Sequence, residues 1–135
     1  MIKDKESKST IGQDWIVVRK LEKELDSKLY LAGGRIIHEA RPAEAFNLPF
    51  ILAFSVLDHV LSQLREEGVI DCKNCGLNTM MEVSRNTLSW HDFDLVDKGR
   101  KARNNLAHKA ILAGKDDCCE YINAIGVELK AWGVI

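Results

Sequence analysis

Between Pro49 and Glu67 the chain reads PFILAFSVLDHVLSQLREE, and Gly68 follows. Leu52, Ala53, Val56, Leu57, Val60, Leu61 and Leu64 recur at three- and four-residue steps, the period of one face of an α-helix. The apolar stripe is broad, so the helix predicted here is central to a core. Asn47 is a plausible cap, Pro49 is tolerated in a first turn, and Gly68 closes the segment.

The same period organises the rest of the chain. From about Gln13 to Ala32, Val17, Val18, Leu21, Leu25 and Leu29 mark a first helix, with Gly33-Gly34 as its stop. Arg35 to Ala45 is shorter, interrupted by Pro42, and carries no clear state. Asp71 to Asn78 reads as a loop, and Met80, Met81 and Val83 suggest a short helix. A long helix opens near Asp92, where Ser89 stands as in a capping box, and runs through Leu95, Val96, Ala102, Leu106, Ala107, Ala110 and Ile111 to Gly114. Gly99 inside it signals a kink or close packing. A last helix, about Asp117 to Trp132, aligns Cys118, Ile122, Ile125, Leu129 and Trp132. No stretch alternates with period two long enough to claim a sheet. The expected fold is all-α, an up-and-down bundle of four to five helices.

Composition bounds the function. The 135 residues are 46% hydrophobic with a net charge of −1, which suits one domain with one core. Met1 to Thr10 holds five charged residues and almost no apolar ones; residues 1–12 are expected to be a flexible tail and 13–135 the domain. Near-neutral charge argues against a strongly salt-dependent nucleic-acid binder. No run of about 18 apolar residues and no signal-peptide core stands out, so a soluble, cytoplasmic protein is expected, away from any membrane.

The residues that carry chemistry are Arg103-Asn104-Asn105-Leu106-Ala107-His108. Arginine is a permanent cation, whereas free imidazole, with a pKa of about 6.5, exchanges protons near neutrality. Phosphodiester cleavage needs both abilities, one group to move protons and one to hold the charge of the phosphorane. From Lys98 to Lys109 there are also five cations, Lys98, Arg100, Lys101, Arg103 and Lys109, and no acid. That is a basic patch the global charge conceals. The plainer alternative is that Asp92, Asp94 and Asp97 before this run give the charge order a helix dipole favours, the cations being end stabilisation.

The hexapeptide resembles the signature of the HEPN superfamily, small all-helical proteins many of which are ribonucleases. Their motif is Arg, a polar residue, a few variable residues and His, and Arg103, Asn104 and His108 match it late in a helical chain with one more helix to follow. The resemblance implies a metal-independent endoribonuclease without cofactor. RNA, tRNA or mRNA, would be cut by its own 2′-hydroxyl, leaving a 2′,3′-cyclic phosphate. His108 would move protons, Arg103 stabilise the transition state, and Asn104 orient or contact the phosphate; the basic patch adds Lys98, Arg100, Lys101 and Lys109 as candidate RNA contacts. It also suggests the toxin of a toxin–antitoxin or defence system, with an antitoxin protein as a partner. The alternative is an HEPN-like dimerisation or nucleotide-binding module without catalysis. Five residues rotate a helix by about 500°, so Arg103 and His108 point about 140° apart. A long Arg reaching round, an irregular helix, or a homodimer lining one cleft from two chains would each resolve this.

Four cysteines remain. Cys72 and Cys75 form a CxxC pair in a loop and Cys118-Cys119 are adjacent, which raises a zinc reading. Neighbours on a helix diverge by about 100°, so Cys118 and Cys119 do not suit one ion, and Cys118 fits a core position. No metal site is expected. A Cys72–Cys75 disulfide belongs to an oxidising setting, and nothing suggests secretion. His38, His59 and His91 carry no motif, and Trp15, Trp90 and Trp132 look like packing anchors.

Overall fold

The computed structural model describes residues 1–26 and 42–135 in full, and residues 29–32 and 35–38 through their backbone. Among the described residues the fold is an all-α bundle of five helices: α1 (Lys5–Asp26), α2 (Asn47–Glu66), α3 (Leu77–Ser84), α4 (Phe93–Lys109) and α5 (Lys115–Ala131). A small antiparallel pair of four-residue strands, β1 (Leu29–Ala32) with β2 (Arg35–His38), and a 3-10 turn at Ala43–Phe46 link α1 to α2.

Helix α2 lies at the centre and packs against each of the other four helices. Of its predicted stripe Ala53, Val56, Leu57, Val60, Leu61 and Leu64 are buried and Leu52 is half-buried, while Phe50 and Phe54, outside that stripe, have no exposed surface. Ala43–Glu66 is long and apolar enough to cross a membrane by composition, yet over half of its most apolar window is buried inside the bundle. Gly68, at a φ of 78°, closes the helix and lets the Val69 amide reach back to the Leu64 carbonyl at 2.9 Å.

Helix α1 corrects two expectations. Residues 1–12 are not a free tail: α1 starts at Lys5, and Ile2 and Ile11 are buried. Asp4 caps the start by accepting from the Ser7 amide at 2.9 Å. The Glu67 carboxylate accepts from the Lys3 and Asp4 amides at 2.9–3.0 Å, tying the chain start to the end of α2. The core face of α1 is Ile11, Trp15 and Val18, while Val17 is exposed. The helix also ends at Asp26, not Ala32. Leu29–Ala32 instead pairs with Arg35–His38, two short apolar segments either side of Gly33-Gly34, a sequence pattern suited to a hairpin. The expected Gly33-Gly34 helix stop and the His38 side chain lie outside the described residues.

Helix α3 carries Met80 and Met81 into the core. The entrance of α4 is held by a buried acid: the Glu128 carboxylate, 1% exposed, accepts from the His91 and Asp92 amides at 2.7–2.9 Å. The tryptophans anchor packing as expected, Trp90 standing edge-on to Phe93 and Trp132 at 5.2 and 4.7 Å between ring centroids. Trp15 is buried against Gly126 of α5, where an added Cβ would meet its ring at 2.9 Å.

Candidate functional site

The cap of α4 is Asp92 itself, accepting from the Leu95 amide at 3.1 Å, not a Ser89–Asp92 box. Phe93, Val96 and Gly99 form the buried face. Gly99 produces close packing, not a kink: a Cβ there would meet Tyr121 Cγ at 2.9 Å and Phe54 Cζ at 3.0 Å. The helix stays regular through Lys109, which removes local irregularity as a way to bring Arg103 and His108 together. At 100° per residue, Arg103 lies about 40° from core-facing Gly99 and His108 about 180° away. Burial follows that rotation for Arg103, which is half-buried, and His108, which is exposed; Asn104, about 140° from Gly99, is half-buried as well. Asp97, Lys101, Asn104 and His108 follow one another along the outer side of the helix at steps of four, three and four residues.

The side chains of Arg103, Asn104 and His108 make no hydrogen bond or ion pair among the described residues. Their basic neighbours divide into two kinds. Arg100 donates to Asp97 at 2.8 Å and Lys101 sits 3.3 Å from the same carboxylate. Burial works to raise the Asp97 carboxyl, but the hydrogen bonds and charges of Arg100 and Lys101 outweigh it and hold it below the usual carboxylate range. Lys98 and Lys109 are exposed, and no ion pair engages them among the described residues. His108 and Lys109 occupy the last turn of α4, where cations favour the negative end of the helix dipole.

The helix stops at Lys109, short of the expected Gly114, because Ala110 adopts a left-handed conformation at a φ of 53°. The chain then turns toward α2 and meets Asn47, a residue the sequence suggests as a cap. Asn47 caps nothing with its side chain; it is buried and splints the turn. Its Nδ2 donates to the Ala113 and Glu44 carbonyls at 2.8 and 2.9 Å, and its Oδ1 accepts from the Ala113 amide at 3.0 Å. Around this junction Leu48, Ile51, Ile111 and Leu112 are exposed, an apolar border beginning three residues past His108.

The described cavities lie elsewhere. One of about 420 Å³ is lined by Arg19, Glu22, Lys23, Asp26, Phe46, Lys115 and Cys119, and none of the others includes the motif residues. Cys118 is fully buried, and desolvation pushes its thiol up to about 11, as a core position implies. Cys72 and Cys75 are joined by a disulfide, against the expectation from sequence, and among the described residues no three His, Cys, Asp or Glu side chains converge as for a metal ion. His59 is half-buried on α2 and His91 exposed. Comparison with protein-family models, with curated proteins and with solved structures finds no match to this chain.

Proposed function

We propose that this chain is an HEPN-like, metal-independent endoribonuclease acting as a homodimer. The observation that carries the proposal is the contrast along α4. Arg103, Asn104 and His108 keep unengaged side chains on its last two turns, beside Arg100 and Lys101 that Asp97 holds. In this scheme the 2′-hydroxyl of RNA attacks the adjacent phosphorus, and the bond to the 5′-oxygen breaks to leave a 2′,3′-cyclic phosphate. His108 moves the proton, Arg103 holds the charge of the phosphorane, and Asn104 orients the phosphate. Exposed Lys98 and Lys109 supply the main attraction for the RNA backbone, with Arg100 and Lys101 contributing less because Asp97 offsets them. The scheme calls on no metal and no cofactor.

Divergence of Arg103 and His108 on one regular helix makes a second chain part of the scheme. In the proposed dimer two copies of α4 pair about a two-fold axis so that Arg103 of one chain reaches into the same cleft as His108 of the partner subunit, and the exposed Leu48, Ile51, Ile111 and Leu112 offer apolar area for the pairing. A cytoplasmic toxin or defence nuclease, restrained by an antitoxin protein, is the biological role this chemistry suits. The same divergence also favours a second reading, an HEPN-like dimerisation or nucleotide-binding module without catalysis.

Cleavage of mixed tRNA and mRNA in excess EDTA separates the two. Wild type should cut and leave cyclic-phosphate ends, and His108→Ala at matched folding should lose a factor of about 10²–10⁴. Equal cleavage by both proteins would sink the role given to His108. No cleavage by either would leave the module.

A further inference from the structure

The loop 71–76 between α2 and α3 is anchored at both ends without help from its cysteines. On one side the Val69 and Ile70 amides reach the Leu64 carbonyl at 2.9 and 3.3 Å, and Ile70 is buried. On the other, the Gly76 carbonyl accepts from the Met80 amide at 3.0 Å, and Leu77 is buried. Between these anchors Asn74 turns the chain at a φ of 53°, and the Cα atoms of Cys72 and Cys75 stand 6.1 Å apart, joined through sulfur. The ring closes around Lys73 and Asn74 alone, so the cross-link removes little entropy from the unfolded chain. Both cysteines are only half-buried. A cavity of about 340 Å³, lined by Arg65, Glu66, Cys72, Lys73 and Asn74, opens onto the Cys72 side. Cys118, by contrast, is sealed in the core.

We propose that Cys72 and Cys75 form a thiol–disulfide exchange site, opened and closed by low-molecular-weight thiols and their disulfides while the bundle stays folded. In the opening direction a small thiolate enters the cavity and attacks Cys72 Sγ. The Cys72–Cys75 bond breaks and its electron pair leaves on Cys75 Sγ. That sulfur lies 3.2 Å from the Lys73 carbonyl oxygen, which accepts its S–H once it is protonated. A second small thiolate then attacks the mixed disulfide and releases Cys72. Two small thiols are oxidised to one disulfide, the protein disulfide is reduced to two thiols, and the two protons pass from the small thiols to the cysteines. Closure is the reverse, with the small disulfide as oxidant. The cations Arg65 and Lys73 are matched by Glu66 and Asp71, so the local charge favours neither an anionic nor a neutral thiol.

The test equilibrates the native full chain in buffers of reduced and oxidised glutathione, alkylates the free thiols, maps them by peptide mass and follows helix content by circular dichroism. The expected result is a reversible titration confined to Cys72 and Cys75. A tenfold change in the square of reduced over oxidised glutathione should change their dithiol-to-disulfide ratio tenfold, at constant helix content. Asn74→Val, which resists a left-handed turn, should shift the balance several-fold toward the dithiol, whereas Asn74→Gly should not. A pair that opens only in denaturant, helix loss that accompanies opening, or an unshifted Asn74→Val would each overturn the proposal. So would failure of the Cys72→Ser, Cys75→Ser double variant to fold, since that would make the bond a structural staple.

Discussion

Replacing Gly99 by alanine sets two measurable effects against each other at the helix that carries the motif. Alanine in a helix interior gains about 1 kcal/mol over glycine through backbone entropy. Against this, the new Cβ would stand 2.9 Å from Tyr121 Cγ and 3.0 Å from Tyr121 Cδ1 and Phe54 Cζ. Neither ring has room to retreat. Phe54 has no exposed surface, and both rings abut Phe50, at 5.4 and 5.6 Å between centroids. Overpacking of this kind costs about 1–3 kcal/mol, and two immobile rings put it in the upper half of that range. The net expectation is a loss of about 1–2 kcal/mol, or roughly 3–8 °C in Tm for a domain of this size. Gly12 is the control, because it also lies inside a helix but a Cβ there meets nothing within 4 Å. Gly12→Ala should therefore stabilise by about 0.5–1 kcal/mol. Thermal and urea unfolding of the two variants beside wild type reads both signs. A Gly99→Ala protein as stable as wild type or more so would refute the close approach of α4 to α5 and α2.

Three further outcomes follow from the same contacts. If each cleft takes Arg103 from one chain and His108 from the other, mixing inactive Arg103→Ala and His108→Ala proteins should restore about one quarter of wild-type activity, half of the dimers being mixed with one intact cleft of two; a mixture no more active than its parents would place both residues in one chain's site. Asn47→Ala deletes three hydrogen bonds at a buried junction and should cost about 2–3 kcal/mol in urea unfolding with an unchanged m value. The backbone amides of Asp4 and Lys3 and the Gln63 amide hold the Glu67 carboxyl below its ordinary value of 4.5, so this anchor is fully present above that pH and is lost as pH falls through the lower folded value. Protection of the Lys3 and Asp4 amides from hydrogen exchange, taken relative to the intrinsic rate at each pH, should fall in that acid window, and Glu67→Gln should abolish the step.

What the sequence discloses depends on how many residues carry each signal. The stripe of α2 is spread over seven apolar positions, so its bounds are legible to within two or three residues. The opening of α1 is not, because Ile2 and Ile11 are lone apolar residues among Lys, Glu and Ser, and the Asp4 cap that starts the helix looks like one more charge. The end of α4 is hidden for a related reason. The left-handed turn falls on Ala110 with no glycine to announce it, while Gly114, the residue that does announce a stop, serves as the entry to α5. Asn47 and Glu128 were illegible as to role, since a buried amide or acid is defined by backbone groups far along the chain. For Arg103, Asn104 and His108 the letters and the helix are legible, and so is their divergence. Which neighbours are held and which are free, as with Arg100 against Lys98, needed coordinates.

The Asn47 splint also bears on the order in which the chain assembles. Its bonds to Ala113 span 66 residues, so closing that loop carries a large entropic cost until α2 and the α4–α5 pair have already docked. The contact thus belongs after the folding barrier, as a latch dropped on a bundle that is already formed. Removing it should leave the refolding rate nearly unchanged and let the native state open faster. The turn beyond His108 would then be the part of the bundle that sets last and works loose first.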